Sequence, residues 1–127
     1  MRSPASALHR RLLLDSLTLL AADAPAQTAW LDRHGVPPGE IALTFDDAFR
    51  MTETLIADGQ LGPDALPALR EIDSVLAGMS GAENAGNWTK EALSTATGWH
   101  RARRAARRLL VAELGTWTRS LPSISGR

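Results

Sequence analysis

The sequence predicts an all-α protein, and three observations support this fold class. Alanine and leucine, which both favour helix, dominate the composition, whereas valine occurs only three times. No stretch alternates apolar and polar residues with the period of two that indicates a half-buried strand. Glycine and proline divide the chain into segments with helical apolar spacing. We therefore predict a single-domain bundle of five or six helices over residues 1–115, followed by a partly ordered tail over residues 116–127.

The first predicted helix starts after Ser3 or Ser6 and runs to about Asp23. Its leucines fall on two stripes, which are Leu13, Leu17 and Leu20, and Leu8, Leu12 and Leu19. A helix that is apolar on two sides packs between neighbouring helices or in an oligomer. Self-association is therefore an alternative that the sequence leaves open.

A second helix is predicted from Asp23, which serves as its N-cap, to a stop at Gly35. Pro25 falls in its first turn, where a missing backbone N–H costs little, and Trp30 and Leu31 supply its apolar residues. Alternatively, Pro25 kinks one long helix that continues from the first.

The third predicted helix runs from about Glu40 to Asp58, and Gly59 is its expected C′ residue. Its apolar face consists of Ile41, Phe45, Ala48, Phe49, Thr52, Leu55 and Ile56. Its polar face consists of Asp46, Asp47, Arg50, Glu53 and Thr54. This segregation predicts an amphipathic helix that packs one side on the core.

Three further helices complete the prediction. One opens at Gly62-Pro63-Asp64 and ends at Gly78, and its inward residues are Leu66, Leu69, Ile72, Leu76 and Met79. Ser80 and Glu83 fit a capping box that starts a short helix, whose apolar residues are Trp88, Ala92 and Leu93. The last helix runs from Trp99 to about Leu114 and is closed by Gly115.

The composition excludes several classes of protein. The chain has no cysteine, which excludes a disulfide framework, a zinc–thiolate site and a thiol nucleophile. Its net charge is zero, so it is not a polycation that coats nucleic acid. The charge is nevertheless divided, with +3 over residues 1–14, −9 over 15–91 and +6 over 99–127. Such asymmetry indicates either a charged partner or internal pairing.

The N-terminal segment imitates a secretory signal without meeting its requirements. Arg10 and Arg11 precede a leucine run, but Asp15, Ser16 and Thr18 interrupt the apolar stretch that a signal needs. No segment approaches the ~20 apolar residues of a membrane span. We expect a cytoplasmic protein that does not bind a membrane.

The string Ile41–Asp47 resembles the first motif of the polysaccharide deacetylase family, in which Thr-Phe-Asp-Asp-Gly ends a barrel strand. The resemblance implies a metal-dependent hydrolase in which Asp46 acts as base and Asp47 binds a divalent metal. Ala48 replaces the family's glycine. The family's pair of metal-binding histidines has no counterpart either, because His100 is the only histidine downstream. We therefore predict no enzymatic activity, no cofactor and no metal site, and keep the hydrolase only as an alternative.

The last helix carries an arginine cluster. On a helical wheel Arg101, Arg104 and Arg108 lie together opposite the apolar stripe, with Arg107 beside them and Arg103 nearer the stripe. Such a ridge fits phosphates along a groove, so nucleic-acid binding is an alternative function. Our first interpretation is that these arginines pair with the acids of the middle segment or form a solvated face.

Other side chains are assigned by their context. Trp30, Trp88 and Trp99 are predicted core residues, whereas Trp117, beyond Gly115, is the expected exposed anchor. Glu113 is predicted at the rim of the apolar face, paired with Arg103 or Arg119. Of these five residues, only Trp117 is predicted to contact a partner.

The function predicted from the sequence is a non-enzymatic protein-interaction module. Segregated charge on a helical scaffold, without an assembled catalytic set, indicates binding, and small helical proteins of this kind include immunity and regulatory partners. The candidate partner-binding residues are Arg101, Arg104, Arg107, Arg108, Trp117, Asp46, Asp47 and Glu53.

Overall fold

The computed structural model describes residues 4–122, and within that range the chain is helical and has no strand. The helices are α1 (Pro4–Ala21), α2 (Ala24–His34), α3 (Gly39–Phe49), α4 (Thr52–Ala57), α5 (Ala65–Gly78), a 3₁₀ helix (Ala82–Trp88), α6 (Ala92–Thr95) and α7 (Thr97–Leu114). The all-α fold is confirmed, although the described residues contain more helices than the five or six predicted. The expected cap Ser3 and the tail residues 123–127 lie outside the described residues.

Helix α7 packs against both α1 and α5, and this arrangement forms the centre of the core. Small residues on α7, among them Ala102 and Ala106, are fully buried and allow the neighbouring helices to approach closely. From α1 the predicted stripe of Leu13, Leu17 and Leu20 reaches this core. The second stripe divides, because Leu19 is buried whereas Leu8 and Leu12 are exposed.

Helices α1 and α2 are separate, so the alternative of one helix kinked at Pro25 is wrong. Pro25 lies in the first turn of α2, as predicted. Gly35 ends α2 with φ = 64°, and the N–H of Val36 donates to the carbonyl of Leu31 at 3.1 Å, which is the Schellman pattern. Asp23 occupies the N-cap position, but its side chain makes no capping hydrogen bond.

The single helix predicted from Glu40 to Asp58 is wrong, because the chain breaks at Met51 between α3 and α4. No glycine or proline marks the break, and its cause is tertiary. Helix α4 turns onto α1, where Ser6 donates a hydrogen bond to Asp58 and Arg10 Nε donates to the Gln60 carbonyl at 2.9 Å. Packing therefore overrides the continuous local pattern.

The predicted capping box at Ser80 and Glu83 does not form. Ser80 Oγ donates back to the Leu76 carbonyl at 3.2 Å, so the serine completes the end of α5. Gly81, at φ = 109°, takes the N-cap position of the 3₁₀ helix instead. A serine that bonds the preceding turn in this way is unavailable to the following helix.

The close contact between Gly98 and Met79 gives a test of the packing. A Cβ atom at Gly98 would lie 2.7 Å from Met79 Cγ, and Met79 is buried. We expect Gly98→Ala to lower the free energy of unfolding in urea by about 1–3 kcal/mol, because the methionine must shift. Gly78→Ala is the control, since a Cβ there meets nothing within 4 Å and should raise stability by about 0.5–1 kcal/mol. Equal losses for both variants would contradict this packing.

Candidate interaction surface

The arginine cluster of α7 divides into residues that hold the fold together and residues that face solvent. Arg103 belongs to the first group and is 8% exposed. Its guanidinium donates to the carbonyls of Ala22 and Leu93, each at 2.9 Å, and to Gln27 Oε1 at 2.8 Å. Gln27 in turn donates to carbonyls in the last turn of α1. The arginine therefore joins the end of α1 to α2, α6 and α7.

Arg107 extends the same contact with the end of α1. It donates to the Ala21 carbonyl at 2.8 Å and to Asp23 at 2.7 Å, and its guanidinium carbon lies 3.8 Å from the ring centre of Trp117. Trp117 is therefore half-buried against the core, and its prediction as an exposed anchor is wrong. The pKa of Arg103 is lowered, first by burial and then by Arg107, while Asp23 acts in the opposite direction.

The other arginines of the predicted ridge remain on the surface. Arg108 lies 3.2 Å from Glu71, in an exposed pair of the kind that contributes about 0–1 kcal/mol. Arg101 and Arg104 are exposed and form no ion pair with any residue of the range 4–122. The interpretation of internal pairing thus holds for Arg107 and Arg108, and two cations of the ridge face solvent.

The predicted partners of Glu113 are both occupied elsewhere. Arg119 lies 3.8 Å from Asp15 and donates to the Leu14 carbonyl at 3.2 Å, while the guanidinium of Arg103 bonds to the network described above and lies 3.2 Å from His100 Nδ1. Glu113 is half-buried, as predicted for the rim of the apolar face, but the predicted pair with Arg103 or Arg119 does not form among the described residues. These contacts of Arg119 also hold the segment that follows α7 against α1.

The predicted acidic residues lie on two different sides of α3 and α4. Asp46 pairs with Arg50 at 3.0 Å, one helical turn along α3, and faces α5. Asp47 is exposed and faces α1. Glu53 lies 3.9 Å from Arg70. Adjacent helical residues point about 100° apart, so the two aspartates do not share one site.

The motif that resembles the deacetylases lies in a different local structure here. The string Ile41–Asp47 is part of α3 rather than the end of a barrel strand. Within residues 4–122, no group of three or more histidine, cysteine, aspartate or glutamate side chains is arranged to hold a metal ion. The geometry that the family uses at this motif therefore has no counterpart in the described part of the chain.

Exposed leucines mark a surface that the sequence prediction did not include. Leu8 and Leu12 on α1 are each 46% exposed, and Leu43 on α3 is 60% exposed. The sequence contains two weak indications that these leucines are exposed. Leu8 and Leu12 belong to the second stripe of α1, and Leu43 falls outside the inward face predicted for α3. Exposed apolar residues that cluster, rather than scatter, are typical of interaction sites.

A groove of about 420 Å³ lies between these helices, and we name it the α1–α3 groove. Its apolar residues include Leu12, Leu43, Ala48, Met51 and Trp30, and its carboxylates are Asp15, Glu40 and Asp47. One end is closed by the tail, where Trp30 Nε1 donates to the Pro122 carbonyl at 2.7 Å. No lysine or arginine lines this groove among the described residues, and its ionisable side chains are these three carboxylates and His9.

A second groove of about 350 Å³ lies on the other side of α3, towards α5. Leu76 and Trp88 contribute its apolar surface, and Asp46 and Asp73 contribute carboxylates. Leu43 borders both grooves. Helix α3 is thus a ridge with an exposed leucine on top and acidic grooves on both sides.

No protein-family model, curated protein or solved structure matches this chain. None of the helices in residues 4–122 has both the length and the apolarity needed to cross a lipid bilayer.

Proposed function

We propose that this chain is a non-enzymatic protein-interaction module that binds a protein partner at the α1–α3 groove. The observation that carries the proposal is the pair of exposed leucines, Leu12 and Leu43, that line one groove together with the carboxylates Asp15, Glu40 and Asp47. An apolar centre with a polar rim is the usual composition of a protein-binding patch. Asp47 is the residue of the sequence prediction that this surface retains.

The leucines supply the free energy for binding. Burying a leucine side chain completely contributes about 1.5–3 kcal/mol, and Leu43 has more than half of its surface to bury. The carboxylates add less affinity, but they favour a basic partner and accelerate the encounter with it. The groove thus supports both parts of the function predicted from the sequence, namely partner binding and the use of charge.

The arginine ridge supports nucleic-acid binding less well. Arg107 and Arg108 are paired with acids, which leaves Arg101 and Arg104 exposed on this helix face. With two phosphate contacts, a plot of the logarithm of the binding constant against the logarithm of the salt concentration has a slope of only about −2. A specific protein–DNA interface makes many more phosphate contacts than that.

The proposal is tested by introducing a charge at the centre of the surface. We expect tagged wild-type protein to retain a partner from a lysate of its native source, and Leu43→Asp to lose that partner, because the new charge cannot be buried against it. The matched control is Val111→Asp, which places the same charge at a 48% exposed apolar residue on α7. Circular dichroism checks that both variants remain helical.

Three results would overturn the proposal. The first is retention of the same partner by Leu43→Asp, and the second is loss of the partner by Val111→Asp to the same extent. Failure of the wild-type protein to retain any protein would also count against it.

A further inference from the structure

We infer that the second groove, between α3 and α5, binds the basic side chain of a lysine or arginine residue of the protein partner. We name it the α3–α5 groove, and Leu76, Trp88, Asp46 and Asp73 are among the residues that line it. The inference rests on the proposed function for the source of this side chain. It adds a second contact, on the other side of α3 from the α1–α3 groove.

Asp73 is the charged group of the α3–α5 groove that lacks a counter-ion. It is half-buried on α5 and forms no ion pair with any residue of the range 4–122. No lysine, arginine or histidine among the described residues lines this groove. A partner that covers Asp73 removes water from its carboxylate, and that cost is offset only if the partner supplies a cation.

The other charges near Asp73 are already paired. Asp46, the second carboxylate of the groove, accepts a hydrogen bond from Arg50 at 3.0 Å, so part of its charge is neutralised. Arg70 lies 3.9 Å from Glu53. Both arginines line a neighbouring hollow that shares only Asp46 and Asp73 with the α3–α5 groove. The groove itself therefore stays negative, and Asp73 is the carboxylate that binds the incoming cation.

The remaining surface of the α3–α5 groove suits the aliphatic stem of a basic side chain. Leu76 follows Asp73 by three positions and lies on the same face of α5. Trp88 is held in place because its Nε1 donates to the Met79 carbonyl at 2.9 Å. Lysine and arginine pack their methylene groups on apolar surface while their charged ends contact polar groups. A wholly apolar ligand would instead cover Asp73 without pairing it.

The α3–α5 groove is continuous with the surface of the proposed function. Leu43 is 60% exposed and lines both grooves. A partner that covers Leu43 therefore also reaches the α3–α5 groove. One basic side chain placed there contributes more to the choice of partner than to the affinity, as is usual for charged contacts at an interface.

The test uses blocked single amino acids as probes. The N-acetyl N-methylamides of lysine and arginine carry the cation, and that of norleucine has an apolar side chain without a charge. We titrate each into the isotopically labelled full chain and follow the NMR signals of the Asp73 amide and the Trp88 indole N–H. We expect saturable shifts with a Kd of about 1–10 mM for at least one basic probe, and binding at least about fivefold weaker for norleucine.

Two matched variants locate the site. Asp73→Asn keeps the shape of the side chain and should weaken the basic probe about fivefold, because the charge is lost. Asp47→Asn makes the same change on the other side of α3, outside the α3–α5 groove, and should leave the affinity unchanged. The basic probe that binds more tightly identifies the residue that the groove prefers.

Three outcomes would overturn the inference. The first is binding of norleucine as tightly as both basic probes, or no saturable binding of either basic probe at about 50 mM. The second is an affinity that Asp73→Asn does not change. The third is an equal loss in Asp47→Asn, which would indicate general attraction of charge. If one of these occurs while Leu43→Asp still loses the native partner, the site for a basic side chain is excluded and the proposed function stands.

Discussion

Arg103→Ala is expected to lower the free energy of unfolding by about 3–5 kcal/mol, close to the whole stability of a marginal domain. The substitution leaves the Ala22 and Leu93 carbonyls and Gln27 Oε1 without their donor. Each buried acceptor that loses its partner costs about 1–3 kcal/mol. It also removes a buried side chain whose space the neighbouring residues fill only partly.

Urea unfolding followed by far-UV circular dichroism measures this loss, and two types of variant define its origin. Arg103→Lys keeps a positive charge, but one ammonium group cannot reach all three acceptors as the planar guanidinium does. It should therefore recover only part of the stability. Arg101→Ala and Arg104→Ala remove exposed arginines from the same helix and should change stability by no more than about 0.5 kcal/mol. A loss at Arg103 no larger than at Arg104 would show that the network contributes nothing.

The contacts of Arg103 account for part of the arginine content of α7. Helix α1 has no glycine at its C-terminus, where four carbonyls lack partners within a helix. Gln27, Arg103 and Arg107 supply side-chain donors to the carbonyls of its last turn and the residue that follows. Part of the positive charge of α7 is thus used in structural contacts with the end of α1.

The fold could be predicted where local chemistry determines it. Pro25 and Gly35 bound α2 because proline suits a first helical turn and glycine tolerates φ > 0. The break at Met51 could not be predicted, because its residues favour helix and only the packing of α4 on α1 interrupts it. The failed capping at Ser80 has a similar origin, since the serine had two competing backbone partners and the sequence does not rank them.

Less of the candidate site than of the fold could be predicted from the sequence. The pairing of Arg107 and Arg108 with acids of the middle segment was predicted, because opposite charge alone indicates it. The α1–α3 groove was not predicted, since it depends on two helices that meet only after folding. Leu12 and Leu43 form one surface because α1 and α3 pack together, and the apolar spacing within either helix does not predict that packing.

Trp99→Ala is expected to destabilise the protein by about 3–5 kcal/mol, as is usual for a buried tryptophan. Trp99 is 1% exposed at the start of α7, and its Nε1 donates to the Asn87 carbonyl at 2.7 Å. Its ring meets Trp88 edge-on, with ring centres 5.5 Å apart at 83°. The side chain thus fixes the 3₁₀ helix to α7, and its loss removes packing, a hydrogen bond and an aromatic pair together.

Trp88→Ala is the comparison variant, because it breaks the same aromatic pair at a half-buried position and likewise removes one indole hydrogen bond, from Trp88 Nε1 to the Met79 carbonyl at 2.9 Å. It should cost less than Trp99→Ala in urea unfolding, while both variants should remove the same part of the near-UV circular dichroism signal. Trp99→Phe keeps most of the buried ring surface but leaves the Asn87 carbonyl unpaired, so a loss of about 1–3 kcal/mol is expected. If Trp88→Ala costs as much as Trp99→Ala, the aromatic pair rather than burial determines the stability here. The start of α7 would then be held by its contact with the 3₁₀ helix more than by the core.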